Sequence, residues 1–255
     1  MRVRRLLAPV VALAVASTFL AAPSSAVDTG FYSVPYADTL YYHEHYSGSD
    51  EVTFPAQYEM WQSSGFPTPR PAPVRYVKYP WSSDIWAVHF FGPDREDWVW
   101  SVLDYGQWSR AGRPAPSDAG WIEGSTYWQY ASSPEIFVAI WEDEPAHKLT
   151  PAEWRAAGSP APERLWNQGI YTYPWSSSIG YVWDTPTGDG DTLTFEDWAF
   201  LGFPTPQTVN HLSYEHVWRF RGSSQLYLDS AITGIDFPLT FGQWSALGRP
   251  APVIY

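Results

Sequence analysis

Apolar and aromatic residues recur along this chain in five similar waves. Each wave opens on a run rich in aromatic and β-branched residues: Phe31 to Tyr42, Tyr76 to Val88, Tyr127 to Ala139, Ile170 to Val182 and Val217 to Leu228. A small polar cluster interrupts each run: Pro35-Tyr36-Ala37-Asp38, Pro80-Trp81-Ser82-Ser83, Ser132-Ser133-Pro134, Pro174-Trp175-Ser176-Ser177 and Gly222-Ser223-Ser224. Runs of this composition favour strands, and Ser, Pro and Gly together favour a turn, so each wave predicts a β-hairpin. An aliphatic residue follows each turn at a fixed offset: Leu40, Ile85, Ile136, Ile179 and Leu226.

Each wave closes on one motif, Trp-x-x-x-Gly-x-Pro-x-Pro. The tryptophans are Trp61, Trp108, Trp154, Trp198 and Trp244, spaced by 47, 46, 44 and 46 residues. The glycines are Gly65, Gly112, Gly158, Gly202 and Gly248. The first prolines are Pro67, Pro114, Pro160, Pro204 and Pro250, and the second stand two residues further on. This repetition divides the chain into units 27–69, 70–116, 117–162, 163–206 and 207–252, with a tail 253–255, inside a single five-repeat domain 27–255.

The motif has a physical reading. Asp104, Thr150, Thr194 and Thr240 are followed three residues later by Gln107, Glu153, Asp197 and Gln243. That is the capping-box spacing, in which a side chain and the third helical residue satisfy each other's backbone amides. The glycine supplies a left-handed stop and the proline forbids continuation. A helix of about two turns is therefore predicted in each unit, too short to hold alone. Burial of the anchor Trp is expected to pin it. The first unit has Gln57 at the cap position, so its helix is expected to fray.

A hairpin and one short helix cannot close a core, so neighbouring units must cover one another. The end units are as aromatic as the middle ones. The tail Val253-Ile254-Tyr255 copies Val74-Arg75-Tyr76, as if a sixth unit began. The fold expected is mostly β with short helices, closed into a five-fold, propeller-like ring by a tail that pairs near the first unit, with an open arc of the same units as the alternative.

The chain begins with Arg2, Arg4 and Arg5, an apolar run Leu6 to Ala22 and small residues Ser24-Ser25-Ala26. This is the pattern of a secretory signal peptide over 1–26, with the mature chain secreted and without a membrane span. Removing three arginines from 15 basic residues leaves 12 against 27 acidic ones, a net charge of −15. Such a balance excludes nucleic acid as a primary partner, because that binding rests on cations meeting phosphates. It also disfavours anionic lipids and polyanionic wall polymers. Neutral glycans, cations and basic proteins remain as partners. With no cysteine, disulfides, thiolate chemistry and Cys-type zinc sites are ruled out.

No nucleophile elbow, zincin helix or phosphate loop appears. Two histidines of His43-Glu44-His45 point the same way on a strand, but no third ligand is visible, and a solvated strand face is the favoured reading. Asp189-Gly190-Asp191 reads as a turn without the EF-hand spacing. Glu142-Asp143-Glu144 and Asp94-Arg95-Glu96-Asp97 read as solvated loop charges. Asp84 and Glu135 occupy equivalent places in units two and three. A glycosidase built on that pair is one alternative, since glycoside hydrolysis needs two carboxyl groups across a sugar. Neither metal nor cofactor is expected, and the chain is read as non-catalytic.

Positions that differ between units are the ones free for use. The residue after the first turn proline is Tyr36, Trp81 or Trp175 in three units. Flat aromatic faces stack on sugar rings, and hydroxyls bond to them. Tyr36, Trp81, Ser82, Ser83, Trp175, Ser176 and Ser177 are therefore the candidate glycan-binding residues. The competing reading has the two tryptophans filling gaps between units.

The run Phe200-Leu201-Gly202-Phe203-Pro204-Thr205 resembles the LGFP repeat of exported bacterial proteins. Gly65-Phe66-Pro67-Thr68 and Leu247-Gly248-Arg249-Pro250 carry partial versions. That resemblance implies tandem modules associated with the cell wall and identifies no ligand residue. The function expected is a secreted domain binding a neutral polysaccharide or cell-wall glycan, with a protein-interaction surface as the alternative.

Overall fold

The structure is a computed structural model that describes residues 27–45, 51–90, 98–141 and 144–255. The leader 1–26, the charged run Asp94 to Asp97 and the pair Glu142-Asp143 lie outside the described residues. The chain divides into two compact units, Met1–Gly120 with two repeats and Trp121–Tyr255 with three.

In the first unit, β1 (Gly30–Ser33), β2 (Leu40–His45) and β3 (Glu51–Pro55) form an antiparallel meander. The helix α1 (Tyr58–Ser63) follows, and β4 (Arg70–Pro71) returns to lie parallel to β1. The sheet order is β3-β2-β1-β4. The second repeat copies it with β5 (Val74–Lys78), β6 (Ile85–His89), β7 (Val99–Leu103), α2 (Tyr105–Arg110) and β8 (Ser117–Asp118).

In the second unit the third repeat has β9 (Thr126–Tyr130), β10 (Phe137–Ala139), β11 (His147–Lys148), α3 (Pro151–Ala156) and β12 (Glu163–Leu165). The fourth has β13 (Gly169–Thr172), β14 (Gly180–Asp184), β15 (Asp189–Thr192), α4 (Phe195–Phe200) and β16 (Gln207–Thr208). The fifth has β17 (His216–Arg219), β18 (Leu226–Ser230), β19 (Gly234–Leu239), α5 (Phe241–Ala246) and β20 (Val253–Ile254). All five sheets share one strand order.

The hairpins expected from the sequence are present in every repeat. Two further strands per repeat were not expected. The variable stretch before each helix pairs with the hairpin as a third strand. The residue after the second proline begins the return strand in all five repeats. Pro-x-Pro, extended and unable to donate, is suited to leading into a sheet edge. It is therefore not a link to the next unit but the lead-in to the strand completing its own sheet.

The tail behaves in the same way. Trp218 pairs with Val253 and Arg219 with Ile254, so β20 completes the fifth sheet. It starts no sixth unit and supplies no strand to the first, because it stands at the same offset from its Trp as every other return strand. The ring-closing device read from the tail is thus corrected.

Capping boxes form at Asp104, Thr150, Thr194 and Thr240, while Gln57 makes no side-chain cap. The C-terminal stops follow one plan. Gly202 takes φ +79°, its N–H meets the Ala199 carbonyl, and the Phe203 N–H reaches back to the Trp198 carbonyl. This is the Schellman arrangement. Phe66, Arg113, Ser159, Phe203 and Arg249, each following the glycine, also have positive φ between 53° and 58°. Left-handed backbone at a residue with a side chain costs roughly 1–2 kcal/mol.

The anchor tryptophans are half-buried rather than buried. Their hold is a hydrogen bond. Each indole N–H donates to the carbonyl of the first proline, at 2.8 Å for Trp61–Pro67, 3.0 Å for Trp108–Pro114, 2.9 Å for Trp154–Pro160, 2.9 Å for Trp198–Pro204 and 3.0 Å for Trp244–Pro250. The six-residue interval from Trp to Pro is set by this bond.

Candidate binding surface

Two of the turn residues, Tyr36 and Trp175, mark seams between repeats. Tyr36 is 2% exposed and packs with Val34, Ala87 and Leu103. Its hydroxyl meets His89 Nε2 at 2.9 Å and donates to Ser101 Oγ at 3.4 Å. Burial pushes its pKa above the usual tyrosine value. Tyr36 therefore belongs to the core between the first two repeats, and its assignment to a glycan surface is corrected.

Trp175 stacks on Tyr173 at 4.5 Å and tilts onto Phe237 of the fifth repeat at 6.0 Å. It packs against the cluster that holds Val217, Leu228 and Leu247, so it wedges the fourth repeat against the fifth. Trp81 stacks on the buried Tyr79 in the same way, at 4.4 Å.

The turn serines have a structural task. Ser82 Oγ accepts the Asp84 amide and Ser176 Oγ accepts the Ser178 amide, as Ser133 does for Glu135 and Ser223 for Gln225. A hydroxyl that bonds two residues onward holds a turn closed. Ser83 and Ser177 are exposed beside them. The two candidate clusters thus sit one in each unit, at the tips of equivalent hairpins.

The carboxylates singled out in the sequence are differently used. Glu135 Oε2 accepts the Thr205 amide at 2.8 Å, and Oε1 accepts the Thr205 hydroxyl at 2.8 Å and Lys148 Nζ at 3.1 Å. Burial resists its ionisation, but these Thr205 and Lys148 bonds outweigh it and hold the carboxyl below its ordinary range. It is a clasp between the third and fourth repeats. Glu215 was not foreseen. Burial raises its pKa to about 7, against bonds from the Leu212 amide and the Ser230 hydroxyl, the latter at 3.4 Å. Ser230 also bonds the Tyr173 hydroxyl at 2.7 Å.

His43 is fully buried rather than on a solvated face. It stacks on Phe90 at 5.4 Å and bonds Thr53 Oγ1 at 2.8 Å, and burial lowers its pKa. His45 stays on the outside and meets Glu51 at 3.5 Å. Among the described residues no group of three or more His, Asp or Glu is placed to hold a metal ion. Asp189-Gly190-Asp191 is not a turn but most of β15, where a side chain at Gly190 would collide with the Tyr181 carbonyl.

The feature that the sequence reading missed lies on the helices. The first helical residue is Tyr58, Tyr105, Phe195 or Phe241 in four repeats, exposed by 61, 69, 67 and 69%. Each leans on the anchor Trp of its helix, with ring centroids 6.5, 5.9, 6.3 and 5.8 Å apart. The left-handed residue after the glycine completes the cluster. Phe66 meets Tyr58 at 5.9 Å, and Phe203 meets Phe195 at 5.9 Å. Arg113 lies over Tyr105 at 5.7 Å and Arg249 over Phe241 at 5.6 Å.

Each of these clusters is a wet aromatic platform two to three side chains wide, held by a capped helix. The third repeat has Pro151 and Ser159 at the two outer positions and carries no platform. A signal existed in the sequence, an aromatic three residues before four of the five anchors. It was not read because the outward direction of the first helical residue is a property of the folded repeat.

In comparisons with protein-family models, curated proteins and solved structures, nothing matches this chain. No helix among the described residues is long and apolar enough to cross a membrane.

Proposed function

We propose that this chain is an exported, non-catalytic repeat protein that holds a neutral polysaccharide or cell-wall glycan on the platforms of its helices. The observation that carries the reading is the repeated exposure of Tyr58, Tyr105, Phe195 and Phe241 beside half-exposed tryptophans. Leaving a large aromatic ring wet forgoes roughly 1.5–3 kcal/mol of burial at each position. Four equivalent positions accept that cost on one structural element. A sugar ring offers a C–H face to such a surface and hydroxyls to its rim.

Several weak, equivalent sites on one chain gain by avidity on a polymer that repeats as they do. The leader-like start and the acidic mature chain suit an exported protein whose ligand carries little negative charge. The likeness of Phe200 to Thr205 to the LGFP repeat supports the wall as the place where that ligand is found. Glu135 supports the non-catalytic reading, since a carboxyl tied to Thr205 and Lys148 is a poor general acid.

Cosedimentation of the mature chain with insoluble polysaccharides and with cell-wall preparations tests this. Depletion from the supernatant, reversed by soluble oligosaccharide of the same kind, is the expected result. A chain that stays in solution across the whole panel contradicts it. Binding to a protein partner that free sugars fail to compete would favour the protein-interaction reading instead.

A further inference from the structure

In the fifth repeat the platform borders a cleft of ≈ 600 Å³ that the sequence did not announce. Its walls include Phe241 and Trp244 of the platform, Ser223 and Ser224 of the turn, and Arg219 at the end of β17. The volume lies in the usual range for small-ligand sites, about 300–1,000 Å³.

Its existence follows from two substitutions among equivalent positions. The wedge position held by Tyr36 and Trp175 is here Gly222, with φ +83° and no heavy atom within 4 Å of where a side chain would begin. The position held by Thr172 in the fourth repeat is here Arg219. Thr172 turns its hydroxyl inward, to the Ser178 carbonyl at 2.9 Å and the Ser176 carbonyl at 3.4 Å. Arg219 repeats only part of that, donating Nη1 to the Ser223 carbonyl at 2.9 Å. Among the described residues no carboxylate pairs with it, and none lines the cleft. In a chain with 27 acidic residues against 15 basic ones, the charged group in this wall is a half-buried guanidinium with donors to spare.

We infer that the fifth-repeat cleft takes a carboxylate-bearing sugar unit, with Arg219 bonding the carboxylate. The sugar ring lies on Phe241 and Trp244, and the Ser224 hydroxyl lies at the rim. Ser223 Oγ already accepts the Gln225 amide at 3.1 Å and keeps its own proton to donate. The guanidinium fork matches a carboxylate with two parallel bonds, which a neutral sugar cannot reproduce. In the second repeat Arg113 is engaged with the Tyr105 ring and hydroxyl, and the position equivalent to Arg219 is the half-buried Lys78, a cation without the guanidinium's planar fork. This inference rests on the glycan-binding reading and adds a selective subsite to it.

Titration calorimetry of the mature chain with a neutral oligosaccharide carrying a single uronate unit and with its carboxyl-reduced counterpart tests the assignment. The acidic ligand is expected to bind about tenfold more tightly at low salt, a difference of about 1.4 kcal/mol. Added salt should narrow the gap. Arg219→Gln should abolish the preference, and Arg219→Lys, which keeps the charge, should retain part of it. Phe241→Ala should weaken both ligands alike. Equal affinities, or a preference that survives Arg219→Gln, would overturn the assignment while depletion onto insoluble polysaccharide left the broader function standing. If neither ligand binds and no polysaccharide depletes the chain, both readings fall.

Discussion

The anchor tryptophan shows how much one side chain can fix. Its spacing and recurrence were plain in the sequence, but its role was misjudged as burial. The indole is half out of the core, and what recurs is its N–H on a proline carbonyl six residues away. Trp198→Phe should keep most of the packing and lose that bond, costing about 1 kcal/mol. Trp198→Ala should cost about 2 kcal/mol, below the range for a fully buried aromatic. Urea melts that rank the two substitutions equally would contradict a role for the hydrogen bond. Tyr36 was misplaced for a related reason, whereas Trp175 fills a gap between repeats, as the competing reading had it. A turn tip looks exposed in one dimension, and only the docking of the next repeat makes it interior. His43 was misread because strand alternation places its side chain on a face without saying what lies against that face.

At the scale of the element, the sequence was most legible where local chemistry decides the outcome. The four capping boxes and the glycine stops form as their residues dictate, because each satisfies amides within a few positions of itself. Thr194→Ala should therefore lower stability by about 1 kcal/mol, and Gln57→Ser in the uncapped first helix should raise it by up to about 1 kcal/mol. Denaturant midpoints moving with unchanged slope would report both. Failure of Gln57→Ser to stabilise would mean that the first helix start is held by something other than its cap. The third strand and the return strand were not legible. The former varies too much between repeats to show a period. The latter is two residues long in four repeats and owes its pairing entirely to β1 and its equivalents.

Across the whole molecule, the two compact units carry opposite responses to acid. In the first, burial lowers the His89 pKa to about 4. The unfolded chain takes up this proton near pH 6.5 while the folded one refuses it until about pH 4. Stability is thus lost as the pH falls through that window, by on the order of 3 kcal/mol. In the second, burial raises the Glu215 pKa to about 7. The folded form then holds a proton that the unfolded form releases near pH 4.3, so stability is gained as the pH falls from above 7 toward 5. Hydrogen exchange, corrected for its intrinsic pH dependence, should show residues 51–90 losing protection between pH 7.5 and 5 and residues 207–245 gaining it. Glu215→Gln should remove the second trend and leave the first.

Function belongs to this scale as well, because no single platform is large. Tyr58, Tyr105, Phe195 and Phe241 are each more than three-fifths exposed, so their replacement by Ser should leave the melting temperature within a few degrees. The measurement that bears most directly on the proposal is the affinity of the mature chain for a polysaccharide that retains it, taken as these four residues are replaced one after another. A stepwise fall in affinity, ending in loss of retention by a folded quadruple variant, is the result expected of platforms that act together. Retention unchanged in that folded variant would show that the ligand is held elsewhere.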